Sequence, residues 1–201
     1  MSEMPNAKRK DFSIIASMIR NHSTVLDLGC GDGSLFAHLK QSRNVTGYGV
    51  EKDDANVLAS LQNGISVIQS DLEEGLTEFG DGAFEYVILS LTLQAVHETE
   101  AIIREMLRVG NEVIVTFPNF GYWRHRLQLF LGKAPISKEL PFQWYDTPNV
   151  HVLTLHDFES FCSAHDVRIL EKVVLNENYK RVRSMQNLVG SLAIYRFNQN
   201  A

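Results

Sequence analysis

The stretch Val25 to Gly33, VLDLGCGDG, places three glycines in five residues directly after an apolar run that contains Asp27. Glycine lacks a Cβ and tolerates φ > 0, so Gly29, Gly31 and Gly33 let the backbone turn sharply and approach a ligand closely. Two further carboxylates stand at comparable places, Glu51 after Val50 and Asp71 in Gln69-Ser70-Asp71-Leu72. An acid in the place of Glu51 can accept hydrogen bonds from both hydroxyls of a ribose. Asp71 can accept from an adenine amino group while the backbone beside it receives the ring edge. Each acid taken singly also reads as a helix cap or a solvated strand end.

The elements that must hold these residues follow from hydrophobic periodicity. Residues 8 to 20 put Phe12, Ile15, Met18 and Ile19 on one helical face. Thr24 to Leu28 reads as a strand, and Ser34 to Leu39 opens a helix after the glycines, which is the strand, tight turn and helix that a cofactor loop requires. Alternation continues with strand 45–50, a helix over 53–62 capped by Asp53, strands 65–69 and 84–90, a helix over 98–108 and strand 112–117. Tyr86 to Leu89 and Val113 to Val115 are continuous apolar runs, as expected of strands buried on both faces. A helix over 155–165 and strands 167–174 and 189–197 close the pattern. Strands separated by helices predict a doubly wound α/β sheet. Between Phe117 and Leu155 the alternation breaks into a segment rich in aromatics, His, Pro and Arg, and a connection of that length caps a site or serves a partner.

With Asp27, Glu51 and Asp71 at three successive strand ends, and Gly-x-Gly-x-Gly in place of the dinucleotide Gly-x-Gly-x-x-Gly, the pattern favours S-adenosylmethionine; a nicotinamide oxidoreductase is the competing reading. Residues 24–117 resemble the class I S-adenosylmethionine-dependent methyltransferases. That resemblance implies a Rossmann-like, mostly parallel seven-stranded sheet with an antiparallel last strand. It also implies that Asp27, Gly29 and Gly31 hold the methionine end, Glu51 the ribose, Asp71 with Leu72 the adenine, and Ser90 with Leu91 the methionine tail. The strings Phe117 to Trp123, Pro141 to His151, Ile88 to Ala95 and Glu105 to Gly110 are similar to the MetW family of methionine biosynthesis proteins. This likeness implies a single S-adenosylmethionine-binding domain over 1–201, with 118–150 as a lid or insert, supporting methionine biosynthesis with homoserine O-acetyltransferase. Methyl transfer to a small molecule is the alternative. Glu85 departs from the pattern, since methyltransferases commonly carry Asp after the aromatic at that point.

Methyl transfer from a sulfonium needs alignment more than a base, so no catalytic residue is assigned. If an acceptor must lose a proton, His97, His125, Tyr145, Asp146 and His151 are the candidates. Asp146, His151 and His156 superficially resemble a metal set but lack fixed ligand spacing, and no metal is expected. Trp123, Phe142, Trp144 and Tyr145 read as a substrate lid, a hydrophobic floor or a partner surface. Arg124, Arg126, Lys133 and Lys138, with Lys180, Arg181 and Arg183, read as solvated charge or as a receiver for an anionic substrate or acidic partner.

Composition bounds the rest. At 201 residues, 44% hydrophobic and 21% charged, the chain can bury a large core without staples. A net charge of −5 argues against nucleic acid as partner. Cys30 and Cys162 are the sole cysteines, which predicts no disulfide framework and a reducing cytoplasm. The N-terminus has positive charges with no apolar run behind them, and no stretch of about 18 apolar residues occurs, so neither export nor a membrane span is expected.

Overall fold

A computed structural model describes residues 10–200. The expected start of the first helix at 8 and 9, and the basic N-terminal stretch before it, lie outside the described residues. Helix α1 (Lys10–Met18) is followed by β1 (Thr24–Leu28), α2 (Ser34–Arg43), β2 (Thr46–Glu51), α3 (Asp54–Gln62), β3 (Val67–Gln69), β4 (Phe84–Ser90), α4 (Thr99–Val109) and β5 (Gly110–Pro118). Then come α5 (Trp123–Phe130), α6 (Leu155–Ala164), β6 (Val167–Leu175), α7 (Gln186–Val189) and β7 (Leu192–Gln199).

The seven strands form one sheet in the order β3-β2-β1-β4-β5-β7-β6. The pairs from β3 to β5 are parallel, while β7 runs antiparallel to both of its neighbours. This is the doubly wound sheet that the element order predicts, with the antiparallel last strand that the methyltransferase resemblance implies. Because side chains alternate across a strand, each central strand feeds two apolar layers. Leu26, Leu28, Val87, Leu89, Val113 and Val115 pack on one face with Ile102 and Met106 of α4 and Phe158 of α6. Val25, Tyr86, Ile88 and Ile114 pack on the other with Phe12 and Ile15 of α1 and Leu35 and Leu39 of α2. Burial on both faces explains why β4 and β5 read as unbroken apolar runs.

Polar side chains fix the ends. Asp53 caps α3 through Asn56 N–H at 3.0 Å, as its position predicts, and Thr154 with Asp157 forms a capping box on α6. Arg108 at the end of α4 donates to the carbonyls of Leu76 and Phe79 and pairs with Glu105 and Asp81, clamping the connection that enters β4. Glu85 sits at the opposite end of the sheet from the glycine loop. It accepts from Thr24 N–H at 3.1 Å and pairs with Arg20, so its departure from the methyltransferase pattern concerns strand pairing and not the cofactor end.

The largest differences from the sequence reading lie at two places. Residues 123–130, expected to be irregular, form helix α5. The last strand begins at Leu192 and not at 189, because α7 occupies Gln186–Val189 and the carbonyls of Asn187 and Gly190 are taken by the Asn119 amide at 3.1 and 2.8 Å. Asn119 is fully buried, and its side-chain oxygen also accepts from Gly121 N–H at 2.9 Å. It therefore pins the exit of β5 to the α7–β7 junction. Asn119→Ala would leave three backbone groups without their side-chain partner, with an expected stability loss of about 2–4 kcal/mol measurable by chemical denaturation, whereas Thr116→Val on β5 would cost less.

Candidate functional site

The parallel register levels the carboxyl ends of four neighbouring strands. Leu28 lies opposite both Val50 and Leu89, and Glu51 lies opposite Gln69. At the usual strand spacing, β3 to β4 covers about 14 Å along one edge. Asp27, the glycine loop, Glu51, Asp71 with Leu72, and Ser90 with Leu91 all belong to this edge, so the fold brings the sequence-predicted residues to one side of the sheet.

Glu51 is the hinge of the arrangement. Its Oε2 accepts from Gly31 N–H at 2.9 Å, and its Oε1 accepts from Lys52 and Asp53 N–H at 2.9 and 3.0 Å. One buried carboxylate thus ties the glycine loop to the end of β2 and the start of α3. Gly29 and Gly31 have φ of 61° and 57°, the left-handed region that side chains disfavour. A Cβ on Gly29 would lie 3.1 Å from the Thr92 hydroxyl, while one on Gly31 would meet nothing within 4 Å. The backbone at Gly31 therefore borders open space into which a ligand can descend.

Asp27 is buried beside Cys30, whose thiol burial pushes up to about 11, with Asp27 and Glu51 adding to the rise. Cys30 is a protonated packing residue and no nucleophile. Asp71 caps a short 3-10 turn, Leu72–Glu74, accepting from Glu73 N–H at 3.1 Å and pairing with Lys52 at 3.4 Å. The Glu73 N–H and then Lys52 hold its carboxyl below the usual range, so it stays anionic well into acid. Ser90 Oγ lies 3.2 Å from Thr116 Oγ1, and Leu91 takes a left-handed turn with φ 57° whose N–H donates to Thr116. Thr92 and Gln94 were not picked out by sequence reasoning. Thr92 closes the far side of the glycine loop; the Gln94 side-chain amide donates to Leu91 O at 2.8 Å, and the Gln94 backbone carbonyl accepts from Val150 and His151 N–H. The signal was the alternation of polar Ser90, Thr92 and Gln94 directly after the apolar run Tyr86 to Leu89.

The proton-transfer candidates separate. His125 is fully buried, with Nδ1 3.1 Å from Asn119 O, and serves as a packing residue. Tyr145 and Asp146 sit on the exposed insert, where Asp146 accepts from Gln143 N–H. His97 and His151 fall together near the edge: His97 Nδ1 lies 2.6 Å from Glu73, and His151 Nε2 lies 3.1 Å from His97 O. Among the described residues, no group of three or more His, Cys, Asp and Glu side chains is placed to hold a metal ion, and no helix is long and apolar enough to cross a membrane.

The fold is shared with solved structures. An S-adenosylmethionine-dependent methyltransferase from Mesorhizobium loti matches with TM-score 0.69 at 13% identity, covering 96% of this chain and 99% of that one. The [4+2]-cyclase SpnF matches with TM-score 0.69 at 15% identity, covering 96% and 81%. These define a class I methyltransferase fold. The chain belongs to the MetW family, whose sequence model, "Methionine biosynthesis protein MetW", matches residues 9–197. A bifunctional methionine biosynthesis protein MetXA/MetW from Rhodopirellula baltica is 39% identical over 173 residues, 81% of this chain, which spans only 28% of that relative's length.

Two measurements probe this geometry. In Glu51→Gln an amide N–H₂ faces a backbone N–H; the Gly31 amide is expected to exchange faster with solvent, and stability to fall by about 1–3 kcal/mol. His125 is held neutral by burial, which lowers its pKa from the ordinary 6.5. The unfolded chain therefore takes up a proton below about pH 6.5 that the folded chain refuses, so stability falls with pH there. His125→Gln should flatten that part of the stability profile measured between pH 7 and 5.

Proposed function

We propose that the chain seats S-adenosylmethionine along the β1–β4 edge and supports methionine biosynthesis together with homoserine O-acetyltransferase. The observation that carries the ligand reading is the Glu51–Gly31 clasp beside the open face of Gly31. The donor set agrees with it: Asp27, Glu51 and Asp71 offer hydrogen-bond acceptors, and an adenosyl group presents ribose hydroxyls and an adenine amine as donors. Three carboxylates on one edge repel a pyrophosphate but favour a sulfonium and an α-ammonium, which separates this ligand from a nicotinamide dinucleotide. In this reading Glu51 holds the ribose, Asp71 and Leu72 the adenine, Asp27 with Gly29 and Gly31 the methionine end, and Ser90 and Leu91 its tail. When bound, the sulfonium supplies an electrophilic methyl group. The residues of this chain bind and orient it.

The partner reading rests on family membership and on the relative that joins MetXA and MetW in one polypeptide. SpnF, a cyclase on the same fold, illustrates that the fold by itself does not fix methyl transfer. The two buried free thiols, Cys30 and Cys162, suit a cytoplasmic setting.

Calorimetric titration tests the ligand: S-adenosylhomocysteine should bind and NADH should not, and Asp71→Ala should weaken binding roughly tenfold, the equivalent of one charged hydrogen bond. Adding the chain to purified homoserine O-acetyltransferase should change its activity, with a different response when S-adenosylhomocysteine is present. NADH binding without S-adenosylhomocysteine binding overturns the first reading; unchanged acyltransferase activity in every combination overturns the second.

A further inference from the structure

Helix α5 is amphipathic the wrong way round. Its two inward residues are polar: His125 is fully buried on Asn119 O, and Gln128 exchanges two hydrogen bonds of 3.1 Å with the Ile136 backbone. Trp123, Leu127 and Phe130, at i, i+4 and i+7, form an apolar stripe that faces outward, with Phe130 87% exposed. Ordinary surface helices present the reverse pattern. Through Gln128 the stripe runs on into the insert, where Trp144 and Tyr145 are 75% and 70% exposed and Phe142 is also exposed.

Within the insert itself lies a hollow of about 210 Å³, lined on its apolar side by Phe120, Leu140, Phe142, Trp144, Val150 and Val152. Sites for drug-sized ligands run to roughly 300–1,000 Å³, and this smaller hollow has room for one protruding side chain. An aromatic side chain presents roughly 150–250 Å², so Phe130, Trp144 and Tyr145 alone expose several hundred Å². That is in the range of the largest apolar patch on a typical monomer, roughly 300–600 Å² and often functional, against the roughly 800 Å² each partner contributes to a standard interface.

We infer that the outward stripe of α5 and the aromatic tip of the insert form the docking face for homoserine O-acetyltransferase, with the hollow receiving an anchoring side chain of that enzyme. The inference rests on the partnership proposed above. What selects this occupant is the bifunctional relative: the MetW-like part accounts for 28% of its length and its name assigns MetXA to the same chain, so the two are held at high effective concentration there. The face lies beside the ligand edge: Val150 and His151 of the insert are hydrogen-bonded to Gln94 O, and the Gln94 amide holds Leu91.

The test uses the purified full chain, purified homoserine O-acetyltransferase from the same organism, and affinity measured by calorimetry with light scattering for stoichiometry. Leu127→Ser with Phe130→Ser, and separately Trp144→Ala on the exposed tip, should each weaken the complex at least tenfold. Thermal stability and S-adenosylhomocysteine affinity should remain those of the parent chain. Leu58→Ser with Leu61→Ser, exposed apolar residues on α3 far along the chain, should leave the complex intact. If the parent chain forms no complex, the partnership itself fails. If it binds and both stripe variants bind equally well, the docking face is wrong and the partnership stands. If the parent chain self-associates through this stripe and the acyltransferase binds regardless, a second copy is the occupant and the inference is overturned.

Discussion

The carboxylate of Glu51 is the constraint on which the ligand edge depends. A tight glycine loop has backbone N–H groups that no helix or strand satisfies, and buried donors left unpaired are costly. Glu51 resolves this by accepting from Gly31 with one oxygen and from Lys52 and Asp53 with the other. The turn after β1 and the turn after β2 therefore share a single rigid anchor, and the distance between their outward faces is set by sheet pairing. A ligand bridging them meets a surface already ordered, which lowers the entropic cost of binding.

From that anchor a chain of polar contacts runs across the edge. Asp71 caps the turn that carries Glu73; Glu73 holds His97; His97 O meets His151 of the insert. Gln94 makes a second bridge, joining Leu91 to Val150 and His151. The insert is thus fastened to this edge by hydrogen bonds. Such contacts are individually modest and directional, so they can be remade when a ligand or partner arrives.

Several of the strings that give the chain its family resemblance have architectural roles. Arg108, within Glu105 to Gly110, clamps the entrance to β4. Asn119 and Tyr122, within Phe117 to Trp123, are buried under α5, and Asn119 holds the α7–β7 junction. Those residues position the sheet and the insert. Trp123, Trp144 and Tyr145 from neighbouring parts of the same strings are exposed and have no comparable packing duty.

The sequence by itself determined the alternation of elements, the cap at Asp53, the glycine turn and the placement of three acids at successive strand ends, because hydrophobic period and turn chemistry are local properties. It left Trp123–Phe130 as irregular, since a helix with its apolar residues outside and His125 inside gives no amphipathic signal that points to a core. It also placed the start of the last strand too early, because the Asn119 amide, nearly 70 residues away, competes for the carbonyls at 187 and 190. Tertiary structure alone decided that Glu51 holds Gly31, that His125 is a packing residue and that Thr92 and Gln94 border the edge. Each of these depends on groups far apart in the chain being brought within a few ångströms by parallel strand pairing, a relation that no local pattern encodes.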